Sequence, residues 1–173
     1  MLLVFTGDGK GKTTAALGNA LRLIGGGKRA VMVQFIKGPW DSGEHKSVLR
    51  LVPDFKIIKT GKGFVGILGD TLPIEEHIKA VEEGFKIARK EIASGQYHLL
   101  VLDEVHNAIT LGLVPTSFVL AFLDYAKDKV EHIITTGRGA PQEIIDKADI
   151  ATEVRNIKHP FEHGHLAEKG LDF

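Results

Sequence analysis

The fold is decided by Thr6-Gly7-Asp8-Gly9-Lys10-Gly11-Lys12-Thr13-Thr14, which closes an apolar run that starts at Leu2. The apolar run predicts a buried strand at residues 2–6, and the apolar spacing over residues 13–24 predicts a helix. Glycines in a turn between a strand and a helix let backbone N–H groups converge on phosphate oxygens. The N-terminus of the helix adds the positive end of its dipole. The stretch therefore predicts a phosphate-binding loop.

The residue types in this loop predict separate tasks. Lys12 carries a mobile positive charge for the phosphates, and the hydroxyl of Thr13 lies where Mg²⁺ would bind. The usual pattern G-x4-G-K-[ST] has glycine at its first position, where this chain has Thr6. The alternative is a glycine-rich turn that only caps a helix. The Gly-Lys-Thr sequence after two further glycines favours phosphate binding.

Strands and helices alternate along the rest of the chain. Apolar runs predict strands at residues 29–35, 55–59, 98–102, 131–136 and 150–154. Helices are predicted from residue 73 to the stop at Gly95, over residues 115–126 and over residues 141–148. In the first of these, a 4-3-4-3-4 spacing predicts a buried face formed by Ile74, Ile78, Val81, Phe85, Ala88 and Ile92. The pattern predicts an α/β fold: a three-layer parallel sheet of about six strands with helices on both faces, in a single domain spanning residues 1–173.

Two carboxylates follow the apolar strand predicted at residues 98–102. Asp103 and Glu104 would lie at the carboxyl edge of the sheet, which faces the ligand crevice in open α/β folds. Asp103 could hold Mg²⁺ through water, and Glu104 could act as a base for water or as a metal ligand. An ordinary charged strand end is the alternative, which the phosphate loop makes less favoured.

Composition excludes several classes of protein. The chain has 173 residues, equal numbers of basic and acidic residues (22 each) and no cysteine. Zero net charge gives no basic excess for nucleic acid or anionic membranes, so neither is an expected partner. The lack of cysteine excludes disulfides, thiolate zinc sites and Cys-ligated iron–sulfur clusters. With no membrane-length apolar run and no basic n-region before the first strand, we expect a cytoplasmic protein.

Several motifs occur together in one order. They are residues 6–14, Val33-Gln-Phe-Ile-Lys-Gly38 with Trp40 and Gly43-Glu44, Val101-Leu-Asp-Glu104, Thr136-Gly-Arg-Gly139 with Pro141, Ala148-Asp149 with Thr152-Glu153, and Lys158-His-Pro-Phe161 with Gly164. This set resembles the ATP:corrinoid adenosyltransferase family of the P-loop type. The resemblance implies a RecA-like P-loop NTPase fold, ATP, Mg²⁺ and a reduced corrinoid (cobalamin or cobinamide). The implied reaction moves the 5′-deoxyadenosyl group of ATP to Co(I) and releases triphosphate. A homodimer and a flavin-type reductant protein are implied as well.

The same resemblance assigns roles to individual residues. The triphosphate would be cradled by Gly7, Asp8, Gly9, Lys10, Gly11, Lys12, Thr13 and Thr14. Thr13 and Glu104, with Asp103, would hold Mg²⁺. Arg138 would reach a phosphate and Arg22 would approach the nucleotide, although a solvated surface charge is the alternative for each. Lys37, Trp40 and Glu44 are expected at the same sheet edge, with a ligand-facing role only weakly favoured.

The corrinoid side of the resemblance rests on Phe64. Family members carry Gly-x-Gly-Phe-x-Trp near the corrinoid, where aromatic pressure helps to remove the lower cobalt ligand. This chain has Gly61-Lys-Gly-Phe64-Val-Gly66, so Phe64 matches and Gly66 replaces the tryptophan. Phe64 therefore joins Lys12 and Glu104 as a catalytic candidate, with simple loop packing as its alternative. Because Met1 directly precedes the first strand, we expect the family's N-terminal lid to be absent.

Two other functions stay open at this point. A P-loop ATPase or small-molecule kinase would share every phosphate-binding residue. A non-catalytic nucleotide- or corrinoid-binding protein would fit the missing tryptophan and lid. The sequence shows neither a clear acceptor base nor an arginine-finger motif, which the kinase or ATPase would need.

Overall fold

A computed structural model describes residues 1–38, 40, 42–63, 65–67, 69–159 and 168–171. Six strands form one all-parallel sheet in the order β3-β2-β4-β5-β1-β6. Their bounds are β1 (Leu2–Thr6), β2 (Ala30–Gln34), β3 (Phe55–Lys59), β4 (Leu99–Asp103), β5 (His132–Thr136) and β6 (Ile150–Glu153). Each predicted strand is confirmed to within two residues at either end.

Helices cover both faces of this sheet. They are α1 (Lys12–Gly25), α2 (Gly43–Ser47), α3 (Ile74–Ala93), α4 (Val105–Thr110), α5 (Thr116–Ala126) and α6 (Gln142–Lys147), with a 3₁₀ turn at Val48–Arg50. One buried cluster joins α1 and the 3₁₀ turn to the sheet, and a second joins α3, α4, α5 and α6 to the opposite face. The predicted three-layer fold of the P-loop NTPase type is confirmed. Among the described helices, none has the length and apolar character needed to cross a bilayer.

The central strands are buried on both faces, which explains their continuous apolar sequence. Every residue of β2 and β4 is buried. Successive side chains of a strand point to opposite faces, so Met32 and Val101 pack towards α1 while Val33 and Leu100 pack towards α3. The two helical layers therefore pack against the same strands, each through every second residue of a strand.

Two short helices and one buried position depart from the sequence prediction. The sequence predicts no helix between the strands at residues 29–35 and 55–59, yet α2 forms there, and α4 follows β4 with only Glu104 between them. Helices of five or six residues show too few apolar repeats to be recognised by periodicity. The prediction that Ile74 is buried is wrong: its side chain is 45% exposed, because α3 begins at this residue. Val81, Phe85 and Ile92 are buried as predicted.

The parallel sheet brings the ends of β1, β2, β4 and β5 to one edge. β5 lies between β1, which leads into the phosphate loop, and β4, which ends at Asp103. Adjacent strands are about 4.8 Å apart, so the ends of β1 and β4 are roughly 10 Å apart. A side chain from the start of α1, which follows the loop, is needed to bridge this distance.

Two helix-interior glycines offer a matched test of the packing. A Cβ added at Gly84 in α3 would lie 2.7 Å from Oγ1 of Thr60 and 2.8 Å from a ring carbon of Phe35, whereas one added at Gly18 in α1 meets nothing within 4 Å. We expect Gly84→Ala to lower the free energy of unfolding by about 1–3 kcal/mol through overpacking. Gly18→Ala should raise it by about 1 kcal/mol through helix propensity. Urea denaturation measures both, and equal effects would contradict the packing described for α3.

Candidate active site

An open cavity of about 1060 Å³ lies at the carboxyl edge of the sheet. Its walls come from the phosphate loop and the start of α1, from the segment after β2 with α2, and from the ends of β4 and β5. Apolar side chains of the loop after β3 complete one side, and residues of the C-terminal segment another. This volume lies at the upper end of the range usual for small-molecule sites.

The phosphate loop is held in shape from beneath by the segment that follows β6. The amide of Gly9 donates to the carbonyl of Val154 over 2.7 Å. A Cβ at Gly7 or Gly9 would come within 2.5 Å or 2.7 Å of that segment's backbone, while a Cβ at Gly11 would meet nothing. Gly11 needs glycine because its φ is +114°. Close approach thus accounts for Gly9, a left-handed turn accounts for Gly11, and Gly7, whose φ is +94°, meets both conditions.

Lys12 closes the loop from the cavity side. Its Nζ donates to the carbonyl oxygens of Gly7 and Gly9, both at 2.6 Å. Partial burial and the nearby Arg138 guanidinium lower the pKa of Lys12. An ammonium in this position stands directly at the mouth of the loop.

A buried carboxylate joins the loop to the sheet. Asp103 is fully buried, and its Oδ1 accepts hydrogen bonds from the hydroxyls of Thr13 (2.9 Å) and Thr136 (2.7 Å). Its Oδ2 accepts from Nε2 of Gln34 at 3.0 Å. Three elements, α1, β5 and β2, therefore donate to one side chain at the end of β4. Thr13 is the bridge from α1 that the strand order requires.

Glu104 stands next to this carboxylate in a strained backbone conformation. Its φ of 62° is the only positive φ of a non-glycine residue in the described part of the chain. Its amide donates to Oγ1 of Thr136 at 2.9 Å. Burial, together with the charge of Asp103, raises the pKa of Glu104 to about 7. Backbone strain and a perturbed carboxyl group at a cavity are typical of functional sites.

Arg138 is positioned by a residue that the sequence analysis missed. Its backbone amide donates to Oδ1 of Asn107 at 2.8 Å. A Cβ at Gly137, whose φ is +135°, would lie 2.5 Å from the same oxygen. Asn107 belongs to α4, a helix that sequence periodicity did not reveal, and no motif marks it. The Arg138 side chain is exposed and lies 3.9 Å from the Asp8 carboxylate.

The segment after β2 contributes an ion pair to the cavity wall. Nζ of Lys37 donates to Glu44 at 2.6 Å, and both residues line the cavity. Burial opposes ionisation of Glu44, but hydrogen bonds from Lys37 and Ser42 lower its pKa to about 2. Trp40 is 62% exposed, and its ring lies against Gly38 and Gly63. The Lys37 ammonium and the Glu44 carboxylate therefore neutralise each other at the cavity wall.

The loop after β3 is fastened to α3 by a carboxylate. Asp70 accepts from the amides of Gly66 (2.8 Å) and Leu72 (3.1 Å) and makes a 3.0 Å contact with Nε2 of the buried His77. Val65 and Ile67, on either side of Gly66, line the cavity. The apolar side of the cavity is thus held by a buried His–Asp pair. Phe64, the aromatic candidate of this loop, lies outside the described residues.

Most of the predicted site residues meet at one place. The cavity lining includes Asp8, Gly9, Lys10, Gly11, Lys12, Thr13, Thr14, Glu104 and Arg138. Gly7 contributes a carbonyl behind them, and Asp103 lies buried behind Thr13. The structure does not bring Arg22 to this cavity: it is exposed in the last turn of α1, and its role stays a prediction.

The oxygen donors of the site suit a magnesium ion. In the described part of the chain, no group of three or more His, Asp or Glu side chains could hold a metal. Mg²⁺ is usually bound through one or two carboxylates together with substrate phosphates and waters. The hydroxyl of Thr13 and the carboxylate of Glu104, which both line the cavity, fit that requirement, with the buried Asp103 carboxylate holding the Thr13 hydroxyl from behind.

Comparison with known proteins identifies the family. The whole chain, residues 1–173, matches the family described as ATP:corrinoid adenosyltransferase BtuR/CobO/CobP. The corrinoid adenosyltransferase of Escherichia coli K12 is 35% identical over 173 residues, covering 100% of this chain and 85% of the relative. The corrinoid adenosyltransferase CobA of Salmonella typhimurium is similar to the same extent. The chain belongs to the ATP:corrinoid adenosyltransferase family, and the resemblance seen in the sequence is confirmed.

A solved structure is similar in fold alone. The flagellar accessory protein FlaH from Methanocaldococcus jannaschii superposes with a TM-score of 0.57 at 11% identity, covering 88% of this chain and 69% of that chain. At this identity the similarity supports the architecture of the sheet and carries no functional statement.

The raised pKa of Glu104 makes a prediction about stability. Because folding favours the protonated carboxyl, its burial costs stability increasingly as pH rises from the unfolded-state pKa to about 7. We expect Glu104→Gln to raise the free energy of unfolding by about 2–3 kcal/mol near pH 8.5 and by less than about 1 kcal/mol near pH 5. Urea denaturation at the two pH values measures the difference.

Glu44→Gln is the matched control for this measurement. The pKa of Glu44 is lowered to about 2, so its carboxylate stabilises the fold above its unfolded-state pKa. Glu44→Gln should therefore be destabilising near pH 8.5. A Glu104→Gln protein no more stable than wild type at high pH would show that Glu104 is not held in a desolvated position.

Proposed function

We propose that this protein transfers the 5′-deoxyadenosyl group of ATP to the Co(I) centre of a reduced corrinoid and releases inorganic triphosphate. The observation that carries the proposal is the family match over all 173 residues. The phosphate loop supports the nucleotide part of the proposal independently, because the loop opens into the cavity at the carboxyl edge of the sheet.

The chemistry determines what the protein must supply. An electron pair on Co(I) attacks C5′ of the ribose, the cobalt–carbon bond forms, and the C5′–O bond breaks. The bonding electrons leave with the triphosphate, so no proton is transferred in this step and no general base is needed. The nucleophile comes with the corrinoid. The protein must align C5′ with cobalt and stabilise the charge of the leaving group.

The phosphate loop is proposed to hold that leaving group. Residues 7–14 offer backbone N–H groups and the start of α1 to the triphosphate. Lys12 now donates to two loop carbonyls. On nucleotide binding we expect its ammonium to exchange these carbonyls for phosphate oxygens. Arg138, whose backbone is held by Asn107 and whose side chain lies beside Asp8 of the loop, would add a second cation.

Magnesium is proposed as the metal ion of the site. When bound, Mg²⁺ would neutralise part of the triphosphate charge and so make it a better leaving group. Thr13 would offer its hydroxyl oxygen and Glu104 its carboxylate, while the buried Asp103 would hold the Thr13 hydroxyl in place. Because the transfer needs no base, we assign Glu104 to the metal and leave out the role of base that its position also allows.

The corrinoid is proposed to occupy the apolar side of the cavity. Val65 and Ile67, together with Leu111 at the end of α4, are apolar residues of the cavity lining. The loop that bears Val65 and Ile67 is anchored by Asp70 and His77, which would keep this part of the apolar wall in place. Phe64 belongs to the same loop, and we propose that it contacts the corrinoid as in the family pattern.

Further features follow from the resemblance and are proposed with it. They are a single domain over residues 1–173, a homodimer, a cytoplasmic location and a flavin-type reductant protein that delivers electrons to the corrinoid. Cobalamin and cobinamide both fit the proposal. A P-loop ATPase or kinase is not favoured, because the family match covers the whole chain.

Analysis of the end products tests the reaction. We expect the protein, ATP, Mg²⁺ and chemically reduced cobalamin or cobinamide to give a light-sensitive alkyl corrinoid, seen in the visible spectrum. Phosphorus NMR should show triphosphate released intact. Release of orthophosphate or ADP instead would support an ATPase or kinase. Corrinoid binding by calorimetry without any product would support a binding protein.

Lys12→Ala tests the role of the phosphate loop. Because the ammonium is aimed at the leaving group, we expect the rate of transfer to fall by at least about 10²-fold. The fold should persist, since Lys12 lies at the cavity surface. Lys28→Ala is the control, because Lys28 pairs with Glu131 far from the cavity. Circular dichroism establishes folding in both variants, and near-normal ATP affinity with near-normal activity in Lys12→Ala would refute the assignment.

A further inference from the structure

We infer that His45, a residue of α2, is a positioning residue for magnesium-bound ATP. It acts through Gln34 and Asp103 on the hydroxyl of Thr13. The inference rests on the proposed function, because it concerns the nucleotide and the metal ion assigned to this cavity. We call the hydrogen bonds that join His45, Gln34, Asp103 and Thr13 the His45 relay.

Three consecutive hydrogen bonds make up the His45 relay. Nε2 of His45 lies 2.8 Å from Oε1 of Gln34. Nε2 of Gln34 donates to Oδ2 of Asp103 at 3.0 Å, and Oδ1 of Asp103 accepts from the Thr13 hydroxyl at 2.9 Å. The relay therefore runs from a short helix on the cavity wall to the first turn of α1.

The direction of each bond follows from the Asp103 carboxylate, which can only accept. Nε2 of Gln34 therefore faces Asp103, and Oε1 of Gln34 faces His45. Nε2 of His45 must then carry a proton and donate to Oε1 of Gln34. At the other ring nitrogen, Nδ1, the backbone amide of Ser42 donates at 3.1 Å, and the Ser42 hydroxyl oxygen lies at 3.0 Å. The amide of Gln34 is thereby held at both ends.

The alternative orientation of Gln34 is strongly disfavoured while His45 is present. Gln34 and Asp103 are both fully buried, so neither can replace a lost partner with bulk water. A flipped amide would place its oxygen against the Asp103 carboxylate and its NH₂ group against the N–H of His45. Two repulsive contacts between buried polar groups would replace two hydrogen bonds. His45 thus selects one orientation of a buried amide.

This orientation matters because of what Asp103 does at its other oxygen. Thr13 gives its hydroxyl proton to Oδ1 of Asp103, so the lone pairs of the hydroxyl oxygen stay available to a cation in the cavity. Thr136 donates to the same Oδ1, and Gln34 donates to Oδ2. Loss of the Gln34 bond would leave the buried Oδ2 without that donor and the carboxylate held through Oδ1, which would loosen the position of the Thr13 hydroxyl.

The relay also joins two walls of the cavity. Gly43, Glu44 and Ser47 of α2 line it, and so does Thr13 on the phosphate-loop side. His45 belongs to α2, and the relay connects it to Thr13. Outer partners of metal-binding groups commonly change metal affinity or activity by 10–100-fold when removed. We therefore expect His45 to affect binding of Mg·ATP more than binding of ATP alone.

The test compares ATP binding with and without magnesium. Calorimetry gives the Kd for ATP in excess Mg²⁺ and in EDTA, and the ratio of the two measures the contribution of the metal ion. For His45→Phe, which keeps a ring and removes both nitrogens, we expect this ratio to fall by about tenfold. The Kd in EDTA should change by no more than about twofold. His45→Gln keeps an N–H donor for Gln34 and should restore most of the ratio.

Two further variants separate positioning from folding. His98→Phe is the control variant. The nitrogen that it removes, Nδ1 of His98, also accepts a hydrogen bond from a backbone amide, that of Arg29, but at the opposite edge of the sheet. This control should lower stability and leave the magnesium ratio unchanged. Gln34→Met breaks the relay at its middle and should reproduce the loss, even if His45→Phe fails to fold. If His45→Phe and Gln34→Met both fold, the variant that combines them should lower the magnesium ratio no further than Gln34→Met alone.

The outcomes separate the inference from the function on which it rests. Wild-type protein that binds ATP no better with Mg²⁺ than with EDTA would overturn the proposed metal role and this inference with it. If magnesium strengthens ATP binding by the wild-type protein, and folded His45→Phe or Gln34→Met keeps the same ratio of Kd values, the inference alone is overturned. If His45→Phe weakens ATP binding equally in Mg²⁺ and in EDTA, His45 has only a structural role, which also overturns the inference.

Discussion

The buried carboxylate of Asp103 is the point on which the cavity depends. Burying an ionised carboxylate is costly unless donors satisfy it, and here the donors come from α1, β5 and β2. Because β5 separates β1 from β4, no residue of the phosphate-loop strand reaches Asp103 directly. Thr13 makes the connection from the first turn of α1. The phosphate loop, the acidic strand end and the wall formed by α2 therefore keep their relative positions through one side chain.

Features that depend on residues close together along the chain could be predicted from the sequence. The glycine-lysine loop, the acidic pair after β4 and the alternation of strands and helices each depend on spacing within a short window, and the fold and the family are confirmed. Features that depend on contacts between distant residues could not be predicted. Asn107 orients Arg138 from 31 residues away, and Gln34 meets Asp103 across 69. Their helices or strands carry no motif that pairs them.

Arg22 and Glu104 differ in how far the sequence could predict their positions. Arg22 follows Lys12 by ten residues in one helix, and a rise of 1.5 Å per residue places it about 15 Å further from the loop. The helix predicted over residues 13–24 already implies this separation, so the expectation for Arg22 came from the resemblance alone. The position of Glu104 could not be predicted in this way: its left-handed backbone, which turns β4 at once into α4, brings a carboxylate to the cavity in a way that strand-end composition alone does not indicate.

The segment after β6 changes how the glycines of the phosphate loop should be interpreted. Gly7 and Gly9 press against the backbone of residues 154 and 155, so their lack of a side chain is required even in a protein that binds nothing. Gly11 meets no such neighbour and is required by its turn. Gly7 meets both requirements, because its φ is +94°. A glycine in a ligand motif is thus ambiguous evidence of a ligand, since at Gly7 and Gly9 the path of the chain after β6 excludes a side chain whatever the loop binds.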